Sequence, residues 1–392
     1  MKLALFYLFS VAAVTIAVDL PTDLKNGNDA FTSRMFYEIV KENPQQSVVL
    51  SGYSVLTPLA QLALASEGES HHQLLKAIGL PNDNAIIAAF SEAKRNLKTI
   101  NGVELKTAST IYVTSKSEVY ENFATTIRDV FDSEFKNVDF TQALKTANEI
   151  NAWVEEQTNK KIKNLVDPFS MDADTHAVLV NAIYFKGLWQ KPFNHGNTYD
   201  QVFHITKLRS VTVPMMYQKS YFGYAEVLEL DAKVLQMFYE GREASMILVL
   251  PNEIDGIDQL EEKLRDPSAI DRAIYNMYDR QVHVTIPKFK IETTTDLKNV
   301  LLKMNVTKLF EPGQARLSKM LLEWDDLFIT DAIQKAFIEV NEDGAEAAAA
   351  NVINTYGALP DFLPPVTFFA NRPFYFEIRI NDVPIFNGVK AE

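Results

Sequence analysis

The chain has 392 residues, 47% of them hydrophobic, with no cysteine and a formal net charge of −13 at pH 7. That length can bury a sizeable core without disulfides, and the missing thiols exclude a cysteine nucleophile and thiolate-bound metals. The acidic balance, with both signs interspersed, argues against nucleic acid as a partner, because a polyanion needs a basic face.

The N-terminus, "MKLALFYLFSVAAVTIA", places one lysine before an apolar run that ends in small residues, with Thr15 and Ala17 at the small-residue positions. This is the pattern of a secretory signal peptide over 1–17. The run is shorter than the roughly 20 residues a bilayer span needs, so neither it nor any later stretch reads as a membrane segment. The mature chain, 18–392, is expected to be one secreted domain, since no Gly/Ser linker divides it.

Helical periodicity follows. "NGNDAFTSRMFYEIVKEN" spaces Phe31, Met35, Phe36, Ile39 and Val40 on one helix face. "VLTPLAQLALAS" continues the helical reading, and "HHQLLKAIGL" runs into Gly-Leu-Pro, a stop signal. "LKTASTIYVTS" has strand character, "ALKTANEINAWVEEQTNKKI" is an amphipathic helix, and "AVLVNAIYFKGLWQKPF" begins as a buried strand. From Val202 strands dominate, through "SVTVPMMYQ", "SYFGYAEV", "LQMFYE", "ASMILVLPNE" and "RQVHVTIPKFKIE". Helices interrupt them around Leu260 and Leu301, and "PVTFFANRPFYFEIRINDVPIFNGV" reads as three short strands. Helices first and strands later imply an α+β fold.

Catalytic signatures are missing. The six histidines, His71, His72, His176, His195, His204 and His283, have no G-x-S-x-G elbow to serve. Adjacent His71 and His72 would point apart on a helix, which is poor metal geometry. No H-E-x-x-H, dinucleotide, P-loop or EF-hand pattern occurs. "NKKIKN", 159–164, reads as a solvated helix end, and "NVT" marks Asn305 as a glycosylation acceptor.

Several long motifs in one order then carry a resemblance. "LVNAIYFKGLWQKPF", "MILVLPNE", "VTIPKFKIETTTDLKNVLLKMNVTKLF", "AIQKAFIEVNEDGAEAAAAN", "PVTFFANRPFYFEI" and "PIFNGV" together resemble the serpins, serine protease inhibitors that trap their target by changing shape. The secreted, cysteine-free, acidic character is most similar to an insect haemolymph serpin. The resemblance implies three β-sheets with about eight or nine helices and an exposed reactive-centre loop at about 342–365. It implies an inhibitor rather than an enzyme, acting as a monomer without a cofactor. Its partners would be extracellular serine proteases held in a covalent complex.

Residue roles follow from the same resemblance. The hinge would comprise Glu342, Gly344, Ala345, Glu346, Ala347, Ala348, Ala349 and Ala350. The scissile bond would lie 14 residues after the hinge glycine, at Ala358-Leu359, suiting an elastase-type pocket. A shifted register, with cleavage after Tyr356 (before Gly357) or after Leu359, would suit a chymotrypsin-type pocket. Lys288 would pair with Glu342 at the top of the main sheet, with Trp189 beside the point of opening. Ser51, Ser54, Asn181 and Gln334 would form a polar network where the central strands part. Gly52 replaces a frequent Pro, and Gln334 a frequent His. Without that histidine the network should be insensitive to pH near neutrality.

The alanine run makes physical sense beside this. A loop entering a packed sheet must carry small side chains, since each overpacked residue costs about 1–3 kcal/mol. Strand alternation would turn Ala345, Ala347 and Ala349 inward and Glu346, Ala348 and Ala350 outward. The same run could instead be a short surface helix. Two other functions stay open from sequence: a non-inhibitory relative acting as carrier, store or chaperone, and a secreted hydrolase.

Overall fold

The computed structural model describes residues 20–95, 100–133, 135–321, 326–344 and 364–392. The expected signal peptide and the loop from Ala345 to 363, including Glu346, Ala347, Ala348, Ala349, Ala350, Tyr356, Gly357, Ala358 and Leu359, lie outside the described residues.

Among the described residues there are nine α-helices: α1 (Thr22–Glu42), α2 (Gly52–Ala65), α3 (Gly68–Ile78), α4 (Asp83–Arg95), α5 (Glu121–Phe131), α6 (Ala143–Gln157), α7 (Ile257–Lys263), α8 (Ala269–Tyr275) and α9 (Leu297–Lys303). α2 is apolar all round and buries 12 residues, so it is a core helix rather than a surface one. Ser51 caps it, its hydroxyl accepting from Ser54 N. α3 stops where Gly79 turns left-handed at φ 75°. α4, α5 and α8 have no counterpart in the sequence reading. α4 buries only Ile86 and Ala89, and α5 only Ile127 and Val130, too shallow a stripe to dominate the pattern.

A five-stranded sheet runs in the order β10 (Phe289–Asp296), β11 (Asp331–Val340), β4 (Ala177–Gly187), β2 (Val103–Thr114), β3 (Phe135–Val138). β4 alternates strictly. Val178, Val180, Ala182 and Tyr184 meet Ile150 and Val154 of α6 on one face. Leu179, Ile183 and Phe185 enter the main core on the other.

The second sheet has nine strands, in the order β1 (Val48–Leu50), β14 (Val383–Lys390), β13 (Phe374–Ile380), β8 (Ala244–Pro251), β7 (Ala232–Phe238), β6 (Ser210–Val227), β9 (Tyr278–Pro287), β12 (Val366–Phe369), with β5 (Thr198–His204) also on β6. "SVTVPMMYQ" and "SYFGYAEV" are therefore one strand, not two. Lys219, which fell between the two stretches, pairs with His283 of β9, and its polar neighbours Gln218 and Ser220 pair with Val284 and Val282. The first part of β6 pairs with β5 and the last with β7, so two of the three expected sheets run into each other through this strand.

One departure from the family pattern has a packing cause. A Cβ on Gly52 would lie 2.3 Å from Thr32 Oγ1 and 2.8 Å from Thr32 Cα. The start of α2 and the middle of α1 approach too closely for any side chain, so a proline ring has no room here.

Candidate functional site

β11 and β4 are direct neighbours in parallel, with Asp331–Ile338 paired to Val178–Phe185. The chain then leaves the sheet at Asn341. Trp189 N donates to Asp343 O at 3.0 Å and Phe193 N to Glu342 O at 2.8 Å. The Trp189 indole Nε1–H donates to Asn341 O at 3.0 Å. Trp189 is held by stacking on Tyr239, with ring centroids 4.5 Å apart and planes 8° from parallel. Gly344 closes the turn at φ 110°, a conformation that essentially requires glycine. Its Cα sits against backbone: an added Cβ would be 2.2 Å from Gly187 O and 2.6 Å from Trp189 N.

Electrostatics add a second hold. Lys288 Nζ lies 2.8 Å from Glu342 Oε2, and the Glu342 side chain is only 4% exposed against 37% for Lys288. Thr198 Oγ1 donates to the other carboxylate oxygen at 2.8 Å. Burial alone would push the Glu342 carboxyl up, but the Lys288 and Thr198 hydrogen bonds outweigh it and hold it below the usual 4.5. A depressed folded value means stability present above the unfolded carboxylate range and lost as pH falls through the folded value. Lys288→Met should accordingly cost about 1–3 kcal/mol, since it leaves a buried carboxylate with one partner fewer. The half-exposed lysine keeps that figure low. Thermal unfolding of wild type and variant across the acid range checks it. The gap should close as Glu342 protonates, and a gap constant with pH would contradict this account.

Below the hinge, four buried polar residues meet at the seam. The Gln334 amide donates to Asn181 Oδ1 at 2.8 Å, Ser51 O at 2.9 Å and Ser54 Oγ at 3.2 Å. Its carbonyl accepts from Ser51 N at 3.2 Å. Ser54 Oγ donates to Asn181 Oδ1 at 2.8 Å, and Asn181 Nδ2 returns a bond to Ser54 O at 2.9 Å. The register puts Gln334 opposite Asn181. The network thus spans β11, β4 and the start of α2, and every polar group in it has a partner.

The structure brings Lys288, Glu342, Gly344 and Trp189 together at one end of this seam and Ser51, Ser54, Asn181 and Gln334 within it. Asn305 lies apart, exposed after α9 at φ 66°. Sequence reasoning missed His195, Thr198 and Tyr239 as parts of this site. His195 reaches both hinge carboxylates, with Nδ1 3.7 Å from Glu342 Oε2 and Nε2 3.4 Å from Asp343 Oδ2. Nothing in "FNHGNT" announces this, because its partners lie far along the chain. His71 bonds Ala63 O at 2.8 Å and faces Asp83 at 3.3 Å. Among the described residues no cluster of three His, Asp or Glu side chains could hold a metal.

Comparison with known proteins gives this geometry a context. Residues 26–390 match the family described as Serpin (serine protease inhibitor). Alaserpin of Manduca sexta is 52% identical over 387 residues, 98% of each chain. Antitrypsin of Bombyx mori is 48% identical over 98% of this chain and 97% of its own. Serpin48, described as a highly specific serpin in the insect Tenebrio molitor, superposes with a TM-score of 0.85 at 34% identity, covering 94% of this chain and 98% of its own. With a family match over residues 26–390 and relatives up to 52% identical along nearly its whole length, the chain belongs to the serpin family of serine protease inhibitors.

Proposed function

We propose that the protein is a secreted suicide-substrate inhibitor of serine proteases, cut at Ala358-Leu359. The observation that carries the reading is the seam. β11 and β4 pair directly with each other, and the hinge that would extend β11 is held outside by hydrogen bonds to the 189–193 segment. The protease serine Oγ attacks the Ala358 carbonyl, and the Leu359 amine leaves with the transferred proton, giving an acyl ester. The freed loop enters between β11 and β4 as a new strand, the established mode of strand addition for serpin reactive loops. The displaced protease no longer hydrolyses the ester, and this chain contributes stored free energy rather than a catalytic group. Lys288, Glu342, Trp189 and the hinge gate that entry, and Ser51, Ser54, Asn181 and Gln334 hold the seam until it parts.

Target choice rests on the loop. Residues 342–365 contain no Lys or Arg, and Arg372 is the first basic residue beyond. Trypsin-like targets are therefore disfavoured despite the name of the Bombyx mori relative. Ala358 fits an elastase-like pocket, while cleavage after Tyr356 or Leu359 fits a chymotrypsin-like one. The same reading takes 1–17 as a cleaved signal, 18–392 as one monomeric extracellular domain, and Asn305 as glycosylated.

The test is incubation with an elastase and a chymotrypsin, followed by denaturing gels and mass spectrometry. A band that survives denaturation, with a released peptide beginning at Leu359, is the expected result. A peptide beginning at Gly357 or Pro360 keeps the mechanism and moves the specificity. Cleavage without a stable band by every protease of a wider panel would leave the non-inhibitory reading in its place.

A further inference from the structure

We propose that the cavity between the Gln190–Lys191 segment and strands β6 and β7 is a binding site for a tetrahedral oxyanion, sulfate or phosphate. The cavity measures about 60 Å³ and is lined by Lys191, Arg242, Tyr221, Phe238 and Asp279 among others. That is room for roughly four to six water-sized groups, the size class of a five-atom oxyanion.

The lining sets two cations, Lys191 and Arg242, against one carboxylate, Asp279, with the amides of Gln190 and Gln236 beside them. Lys191 Nζ donates to Tyr221 O at 2.7 Å and lies 5.3 Å from the centre of the Phe222 ring, leaving further N–H groups to spend. The Arg242 guanidinium lies 4.4 Å over the Phe238 ring and makes no hydrogen bond to the described residues. Neither cation forms an ion pair among them, in a chain with 51 acidic and 38 basic residues. Burial pushes the Lys191 ammonium below its usual range, Asp279 draws it back from a distance, and Arg242 lowers it again. An anion between the two cations removes that cost, and a guanidinium presents it with a two-pronged donor.

The backbone beneath Arg242 points the same way. Gly241 and Arg242 are both left-handed, at φ 79° and 68°. Glycine accepts this freely, but the second position selects Asn, Asp or Gly, and arginine is costly there. Arg242 thus lines the cavity at a backbone cost.

Position makes the site an effector site. Gln190 N donates to Phe238 O at 3.0 Å, and Gln218 Nε2 to Lys191 O at 3.1 Å. The residues on either side, Trp189 and Phe193, grip the hinge. An oxyanion bridging Lys191 and Arg242 ties this segment to the turn between β7 and β8 and braces the hinge against leaving. Binding stands without the inhibitory reading; the slowing of loop insertion rests on it.

The test titrates inorganic sulfate at constant ionic strength, reading thermal unfolding and tryptophan fluorescence in wild type, Arg242→Asn, and Arg242→Asn with Lys191→Met. Arg242 is exposed on a turn and asparagine suits its backbone, so the single variant keeps the fold. The expected result is a saturable rise in midpoint in the wild type, with at least tenfold weaker apparent binding in Arg242→Asn and none in the double variant. Equal, unsaturated rises in all three would be the general salting effect of sulfate, an adventitious ion only, and would overturn the site. A sulfated disaccharide forms the second arm: tighter binding than free sulfate assigns the oxyanion to a glycan, and weaker binding to a free ion. If sulfate binds but heat-driven loop insertion is no slower, the site stands and its coupling to the hinge falls.

Discussion

Gly344→Val should lower the unfolding free energy by about 2–4 kcal/mol, combining backbone strain with lost hydrogen bonds. It should also speed the loss of the native form on warming. The cause is local. At φ 110° a β-branched residue is strained whatever space it has. Space is also missing, since the nearest atoms to an added Cβ are Gly187 O, Trp189 N and Leu188 Cα, all backbone. No flexible side-chain tip can give way, so the hinge must undock. That breaks the Trp189 N–Asp343 O and Phe193 N–Glu342 O bonds and pulls Glu342 from Lys288. Unlike the Lys288 variant, whose loss fades in acid, this one should persist at every pH. Thermal unfolding and native gels over time measure the two effects. A wild-type midpoint with a wild-type rate of native-form loss would show that docking of the 341–344 turn contributes nothing.

Gln334→Leu should be comparably damaging for a different reason. The amide accepts from Ser51 N and shares its two N–H groups among Ser51 O, Ser54 Oγ and Asn181 Oδ1, and these three residues are buried with Gln334. Asn181 Oδ1 keeps the shorter bond from Ser54 Oγ, whose single proton cannot also serve Ser51 O, and Ser51 N loses its partner. A buried donor so orphaned costs about 1–3 kcal/mol beyond the lost bonds, giving roughly 2–4 kcal/mol in all. Gln334→His is the informative companion. A neutral imidazole replaces two donors and an acceptor with one of each. No carboxylate belongs to this network, so a proton on the ring meets only desolvation, which lowers a histidine's folded pKa. Stability should then fall as pH drops between about 8 and 5, a step the wild type lacks. Unfolding midpoints of all three proteins over that range decide the matter; parallel pH curves for wild type and the histidine variant would refute it.

Periodicity alone placed α1, α2, α3 and α6, because each carries a deep apolar stripe or is apolar throughout. The small side chains of the "GAEAAAA" run are legible in the sequence, but 345–350 lie outside the described residues. The Lys288–Glu342 and Gln334–Asn181 pairings came from resemblance, since residues 54 and 153 positions apart leave no mark in local pattern. The continuity of β6 was hidden, because its polar middle looks like a turn until β9 lies beside it.

The sequence by itself determined which segments could be helix or strand, and that residues 344–350 carry only one side chain larger than alanine, because both are read from side-chain size and spacing along the chain. Only the tertiary structure decided that Gly52 and Gly344 must be glycine, that His195 faces Glu342 and Asp343, and that Lys191 and Arg242 share a cavity with Asp279 as its one carboxylate. Those facts are distances between segments, set by how the layers pack, and no local run of residues encodes them.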